Sequence, residues 1–389
     1  MSSFAPRSLF AKWMAVLLCT SVVFHSAVNV YIPSAGEIAT PFQRQREPAL
    51  LNSDRSGTEA IGTLKGGAVN QPLAEAIPAR ECGLSHVLTK FDPSTLAIRC
   101  DNFGELEEGG KHNVTGRGVN RKAVRGTWKG CAMAVKQMRG ESSLESDAAM
   151  ATEAAVHFLL RHATHIAPLR GFCAGKLVFD FMPGTLHNAR FPPPRALELA
   201  REAALALAEL HESPGGPFVH RDLTSSQFLL DQDGRVFLQD FNHLQYVGLA
   251  HPVFGSPSRC AADLAVCSGG GVRRCPEEML KMLQEGEVRW SKIDLSPPTQ
   301  ALGTIRLDEK MDVFHFGFLL WKIFTGKKMH HDREWPGVWR MVLTRTWPQS
   351  EKWEGDPRLR DIIFDCWAFE PTSRPSAAQV AQRLQLLTI

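Results

Sequence analysis

The 389-residue chain predicts an α+β, bilobal fold: a small β-rich N-lobe and a mainly helical C-lobe, preceded by an N-terminal apolar anchor. Three observations carry this expectation. Short apolar, β-branched segments punctuated by glycines run from about Val114 to Met182. After Pro192-Pro193-Pro194, apolar residues recur at helical spacing. Between them and the C-terminus two carboxylates, Asp222 and Asp240, flank a hairpin whose turn reads Asp233-Gly234. The length exceeds that of an average single domain, and 44% hydrophobic residues suffice for a sizeable core.

The net charge of +3, from 44 basic and 41 acidic residues, is small and dispersed. No basic stripe is interleaved with aromatics, so no nucleic acid is expected as partner. Nine cysteines form neither a CxxC pair nor the His/Cys spacing of a zinc site. After Arg7 and Lys12 an apolar stretch runs from Trp13 to about Ile32, with no acid near it. Its length suits a bilayer span, and its strongest part, Trp13 to Phe24, suits a signal-peptide core. Residues 1–33 therefore read as a signal anchor or signal peptide, making the protein a single-pass membrane protein of the secretory pathway with its main domain in the lumen. An organelle transit peptide and a cytosol-facing membrane tether are the alternatives. The sequon Asn113-Val114-Thr115 and a disulfide between Cys82 and Cys100 would suit a lumen. Cys131, Cys173 and Cys366 lie in apolar stretches and read as small buried hydrophobes.

Residues 34 to about 80 mix Gly, Pro, Ser and Gln without apolar periodicity and read as a flexible stalk. From 81 to 111 the chain holds a strand-like Leu96-Ala97-Ile98 and is expected to pack on the following domain as an extension. That domain spans 112–389, with its small lobe at about 112–182 and its large lobe at about 183–389.

Gly116-Arg117-Gly118-Val119-Asn120-Arg121-Lys122-Ala123 is a loop whose two glycines let the backbone approach a ligand. Gly126-Thr127-Trp128-Lys129-Gly130 reads as a turn into the strand Ala132-Met133-Ala134-Val135-Lys136. A helix follows from Asp147 to His162, with Ser146 as N-cap, and it carries Glu153 and His157. Leu177-Val178-Phe179-Asp180-Phe181 is a strand running into Met182-Pro183-Gly184. Arg195 to His211 is a helix with Leu199, Ala203, Leu207 and Leu210 on its buried face. Phe218-Val219 leads into His220-Arg221-Asp222-Leu223-Thr224-Ser225-Ser226-Gln227, and the hairpin from Gln227 to Leu238 delivers Asp240-Phe241-Asn242. Further on stand Arg274-Cys275-Pro276-Glu277-Glu278-Met279, a helix opening at Asp312-Val313-Phe314-His315-Phe316-Gly317, and Cys366-Trp367-Ala368-Phe369-Glu370-Pro371-Thr372-Ser373-Arg374-Pro375.

This ordered set resembles the protein kinases over about residues 112–389. The resemblance implies ATP and Mg²⁺ as cofactors. As acceptor it implies a protein substrate, through Ser/Thr or Tyr, or a glycan hydroxyl. Phosphoryl transfer depends on positioning and charge more than on covalent chemistry. By the resemblance Asp222 orients the attacking hydroxyl, Asp240 and Gln227 hold Mg²⁺, Lys136 anchors the phosphates and Glu153 fixes the lysine. Gly116 and Gly118 would face the phosphates. Ala123, Ala134 and Leu229 would enclose the adenine, with backbone groups at Asp180 and Met182 bonding it and Phe179 as a bulky gatekeeper. Glu277 would form a buried scaffold bridge with Arg374. The plain alternatives are an exposed strand-end lysine at 136 and a solvated helix acid at 153. His157 falls where the family stacks an apolar side chain on Phe241, and reads as a packed histidine.

The departures from the pattern are specific. Gln227 replaces an asparagine and keeps the amide oxygen on a longer stem. Asn242 replaces a glycine that permits positive φ, a region Asn tolerates better than other residues. Arg121 stands at the third loop glycine and Ala123 at the usual valine. Thr224 and Ser226 occupy slots where other kinases carry a cation, leaving transition-state charge to the metal, Lys136 or another group. With the apolar N-terminus these departures are similar to secretory-pathway kinases such as vertebrate lonesome kinase and protein O-mannose kinase, while the closing Cys-Trp…Arg-Pro motif looks like tyrosine-kinase-like sequences. The competing reading is a pseudokinase, a binding module in kinase shape. By the resemblance Arg221 would pair with a phosphorylated residue of the activation segment, where Tyr246, Ser256, Ser258 and Ser268 are candidates, and a solvated loop with no phosphosite is the alternative.

Overall fold

The computed structural model describes residues 80–81, 90–110, 113–118, 120–140, 144–187, 190–213, 216–248, 251–252, 274–298, 305, 307–327, 335–347, 353 and 355–387. The expected anchor, the stalk, Cys82 and the candidate phosphosites Ser256, Ser258 and Ser268 lie outside these residues. Among the described residues no helix is long and apolar enough to cross a membrane. Ala79–Ile389 forms one compact unit.

The small lobe is an antiparallel sheet of β1 (Glu107–Glu108), β2 (Val114–Arg117), β3 (Arg121–Trp128), β4 (Cys131–Met138), β5 (Leu169–Cys173) and β6 (Lys176–Asp180). Its strand order is β1-β3-β4-β6-β5, and β2 pairs with β3 as well. The β3–β4 turn is narrower than the sequence suggests. Gly126 and Thr127 are paired strand residues, and only Lys129 and Gly130 turn, both at positive φ (50° and 82°). Two such residues match the twist of the strands they join.

The extension before this sheet belongs to its core. Leu96, Ile98 and Leu106 are buried, and Ile98 and Leu106 pack with Met133, Val135 and Val178. Ile98 donates its N–H to the Arg170 carbonyl at 2.9 Å, running beside β5. A Cβ on Gly171 would lie 2.6 Å from the Ile98 Cβ, so only glycine admits this approach. The disulfide expectation is corrected here: Cys100 bonds to Cys173, across a sequence separation of 73, and not to Cys82. Cys131 is also disulfide-bonded, so neither it nor Cys173 is the small hydrophobe its neighbours suggest. The reason is tertiary, because the extension lies along β5 and brings Cys100 to the end of that strand. Cys366 is a buried free thiol, as expected.

Helix α1 (Leu144–Leu159) packs on the sheet. It already includes Ser146, which therefore is not its N-cap, and it ends before His162. In the large lobe α2 (Pro193–His211) buries the expected Leu199, Ala203, Leu207 and Leu210, with prolines opening its first turn where no N–H is needed. The hairpin of β7 (Phe228–Leu230) and β8 (Val236–Leu238) takes Gly184–Thr185 as a third strand. Then follow α3 (Pro276–Gln284), α4 (Lys310–Thr325), α5 (Trp335–Leu343), α6 (Pro357–Cys366) and α7 (Ala377–Gln385). Helix α4 is apolar on nearly all sides and buried from Met311 to Trp321, which makes it the axis of this lobe.

Two buried devices tie distant segments. Arg374 donates Nη1 to Glu277 Oε1 and Nη2 to Glu277 Oε2, both at 2.6 Å, and also bonds the carbonyls of Lys310, Ala368 and Phe369. A stack of rings crosses from lobe to lobe. Phe179 meets His157 edge-on at 4.8 Å, His157 lies flat on Phe241 at 4.4 Å, and His220 meets Phe241 edge-on at 5.7 Å. His157 is the packed histidine expected. Its Nδ1 lies 2.9 Å from the Ala167 carbonyl oxygen, which assigns the proton to Nδ1, and its buried Nε2 has no hydrogen-bond partner among the described residues.

Two outcomes follow for stability. Arg374→Ala leaves Glu277 charged and unpaired in the interior, and its unfolding free energy by urea titration is expected to fall by about 3–5 kcal/mol. Burial, helped by the nearby Lys136 cation, pushes the His157 pKa down to about 3. The unfolded chain titrates this group near 6.5, so between those values it binds more protons than the folded one. The contribution of His157 is then fully present above pH ~6.5 and is lost toward acid, at up to ~1.4 kcal/mol per pH unit. In thermal melts His157→Leu should flatten the decline of Tm between pH 6.5 and 4.5; an unchanged slope would count against a neutral buried ring.

Candidate active site

Strand alternation places Met133 and Val135 beneath the extension and Ala134 and Lys136 on the opposite face, toward α1 and the cleft. Lys136 Nζ donates to Glu153 Oε1 at 2.6 Å and also contacts Asp240 Oδ1 directly. Lys136 is 8% exposed and Glu153 1%, which disposes of the exposed lysine and the solvated acid. The other oxygen of Glu153 is taken as well: Arg121 Nη1 lies 2.5 Å from Oε2. Each oxygen of one carboxylate thus carries one cation. Burial works against the charged form of Lys136, but the Glu153 and Asp240 carboxylates outweigh it and hold its pKa above the ordinary value. Burial likewise pushes the Asp240 carboxyl up, and the Lys136 cation overcomes it and holds the group below the usual carboxylate range.

Asp222 stands on the loop between Val219 and β7. Gln227 Nε2 donates to Asp222 Oδ2 at 3.3 Å, and Gln239 N–H binds the Gln227 carbonyl at 3.0 Å, joining the loop to the segment that carries Asp240. Arg221 and Asp240 take positive φ (68° and 70°), strain of ~1–3 kcal/mol each that persists only where surrounding bonds enforce it. The left-handed residue of the Asp240-Phe241-Asn242 turn is therefore the aspartate. Asn242 sits in a short 3₁₀ turn instead, so its tolerance of positive φ is not what the site requires. Thr224 and Ser226 hydrogen-bond each other at 2.7 Å and bring no cation.

The oxygen donors of Asp240 and Gln227 are the hard type that Mg²⁺ takes, with few protein ligands and the rest from phosphates and water. The Gln227 amide nitrogen is directed to Asp222, which leaves the amide oxygen for a cation. These residues fit the metal that the resemblance implies. The two glycines of the loop are uncrowded. A Cβ at Gly116 would meet nothing closer than Ala123 Cβ at 3.6 Å, and one at Gly118 nothing closer than the Arg121 carbonyl at 3.6 Å. The chain's own packing does not demand glycine at either position.

Ala123 is brought beside the lysine, pairing with Gly116 on one side and Lys136 on the other. Ala134 pairs with Phe179, which is buried against His157 as a gatekeeper would be. Asp180 closes β6, and its carboxylate accepts from Arg170 Nε at 2.9 Å and Nη2 at 2.7 Å, leaving only its backbone for a hinge role. Phe181 N–H still bonds the Ala132 carbonyl at 3.0 Å, so sheet pairing ends there and Met182 lies just beyond it. Leu229 pairs with Thr185 and Phe237 in the large-lobe hairpin. The residue that sequence reasoning missed is Arg121, read as a lost glycine. Its signal was available in its charge and in its place two residues before Ala123 on the Lys136 face.

Comparison with known proteins agrees with this geometry. The family model described as protein tyrosine and serine/threonine kinase matches residues 110–250 and 279–384, more than half of the chain. A probable serine/threonine-protein kinase of Dictyostelium discoideum is 28% identical over 285 residues, 70% of this chain and 18% of that protein. The dual specificity protein kinase shkC of the same organism is 27% identical over 320 residues, 79% of this chain and 55% of the relative. Human mitogen-activated protein kinase kinase kinase 11 is 25% identical over 286 residues, 70% of this chain and 30% of the relative. The chain thus spans about half or less of the length of these relatives. A family match over both lobes, joined to a lysine, a helix glutamate and two loop aspartates in one cleft, has one reading: the chain belongs to the protein tyrosine and serine/threonine kinase family.

Proposed function

We propose that this protein is an ATP- and Mg²⁺-dependent protein kinase. The observation that carries the reading is the convergence of Lys136, Glu153 and Asp240 in one buried contact, with Asp222 on the adjacent loop. Asp222 orients an acceptor hydroxyl and takes up its proton as the hydroxyl oxygen bonds to the γ-phosphorus and the bond to ADP breaks. Lys136 holds the phosphates, fixed by Glu153. Asp240 and Gln227 hold Mg²⁺, which when bound offsets phosphate charge. Ala123, Ala134 and Leu229 enclose the adenine, and the backbone at Asp180 and Met182 hydrogen-bonds it. The names of the relatives support a protein hydroxyl, serine or threonine first, as acceptor.

We further propose that the domain faces an oxidising, lumenal compartment behind the apolar segment at residues 1–33. The Cys100–Cys173 disulfide and the exposed Asn113 of the sequon support this. It is the setting of the secretory-pathway kinases that the N-terminus resembles.

With the full chain and γ-labelled ATP, Asp222→Ala is expected to lower phosphate transfer to a generic protein substrate by ~10²–10⁴-fold. Equal incorporation by both proteins would remove the role given to Asp222. Binding of Mg·ATP without transfer would favour the binding-module reading. For topology, a glycosidase-sensitive mobility shift of the expressed protein should vanish in Asn113→Gln, and absence of any shift would leave the lumenal reading without its modification.

A further inference from the structure

Arg121 is a charged side chain of the cleft with no part in the transfer step described above. It opens β3 directly after the glycine turn, which is closed by the Gly118 N–H on the Arg121 carbonyl at 2.8 Å. Alternation puts it on the same face as Ala123, whose neighbour across β4 is Lys136. Its side chain is largely buried, 14% exposed, and turned inward to Glu153. A guanidinium carries five N–H donors in a plane, and among the described residues the contact at Nη1 is the only one it makes to an acidic partner. Lys136 and Arg121 thus sit on opposite oxygens of one carboxylate, at the edge of a turn whose two glycines are uncrowded. Two cations against Glu153 and Asp240 make this cluster neutral before any polyphosphate enters. Meanwhile Thr224 and Ser226, on the loop side, contribute no charge.

We propose that Arg121 is a second phosphate-binding cation of this site, which contacts the triphosphate of a nucleoside triphosphate from the small-lobe side and supplies the charge that the catalytic loop lacks. Glu153 positions both Lys136 and Arg121. The inference rests on the nucleotide-binding reading of the cleft.

The test is the affinity of the full chain for Mg·ATP and for adenosine, followed with a fluorescent ATP analogue and competition. Arg121→Met is expected to weaken Mg·ATP binding about ten-fold, the scale of one charge-assisted bond, with adenosine affinity unchanged. Arg121→Lys should recover part of the loss. A role exercised only through Glu153 predicts that Arg121→Met has no further effect in a Glu153→Gln background. Direct contact predicts that the loss persists there. Unchanged Mg·ATP affinity, an equal loss for adenosine, or disappearance of the effect in the Glu153→Gln background each overturns the inference while the kinase reading stands. Failure of the unaltered protein to bind Mg·ATP at all overturns both. A melting temperature for each variant separates loss of contact from loss of fold.

Discussion

Asp312, at the start of α4, holds the loop that carries Asp222 in place. This wholly buried carboxylate accepts the N–H of His220 at 2.6 Å, that of Arg221 at 3.0 Å, and Nε2 of His211 at 3.0 Å. Burial alone would push its pKa up, and those donors override it and keep the group ionised. An anion in an apolar lobe persists only when its oxygens are satisfied. Here the satisfying groups are backbone amides of the loop itself, so the folded lobe and the shape of the loop require each other. The positive φ of Arg221 is held by this arrangement, because the N–H groups of His220 and Arg221 are both committed to one fixed carboxylate and the Asp222 N–H to His220 Nδ1.

From that anchor the order propagates through rings and charges to the small lobe. His220 Nε2 donates to the Gln239 carbonyl at 3.0 Å, and its ring meets Phe241. Phe241 meets His157, and one helical turn earlier on α1 Glu153 reaches Lys136 and Arg121. Residues four apart share a helix face, so a single rotational setting of α1 satisfies the carboxylate and the ring stack together. A turn of the helix would strand a buried anion and open the stack at once. The two lobes are therefore coupled at one helix face.

Much of this was legible in the sequence, and what was legible has a common character. Lys136 with Glu153 and Glu277 with Arg374 were readable although 17 and 97 residues apart, because charged residues in apolar surroundings need partners and the motif order says which. The stripe of α2 was readable because helical periodicity is local. The failures are of another kind. Cys100 meets Cys173 only because the extension adds alongside β5, a pairing that no local pattern encodes. Asn242 was read for tolerance of positive φ when the backbone spends that conformation on Asp240. Arg121 was read for what it lacked as a glycine, and not for where an inward guanidinium would reach.

The same physics sets where the domain begins. Matching to the family starts at residue 110, yet the far face of the sheet presents Met133, Val135 and Val178, and the residues that cover them, Ile98 and Leu106, come earlier in the chain. Burying an aliphatic side chain of that size contributes ~1.5–3 kcal/mol. A sheet that turns Lys136 toward Glu153 and Asp240 must turn its alternate residues the other way, and those residues are apolar. Some segment must therefore shield that face for β4 to hold its lysine in register. Here the extension does so, tied along β5 by Ile98 and fastened at its end through Cys100 and Cys173. The disulfide thus fastens the cover of the face opposite Lys136.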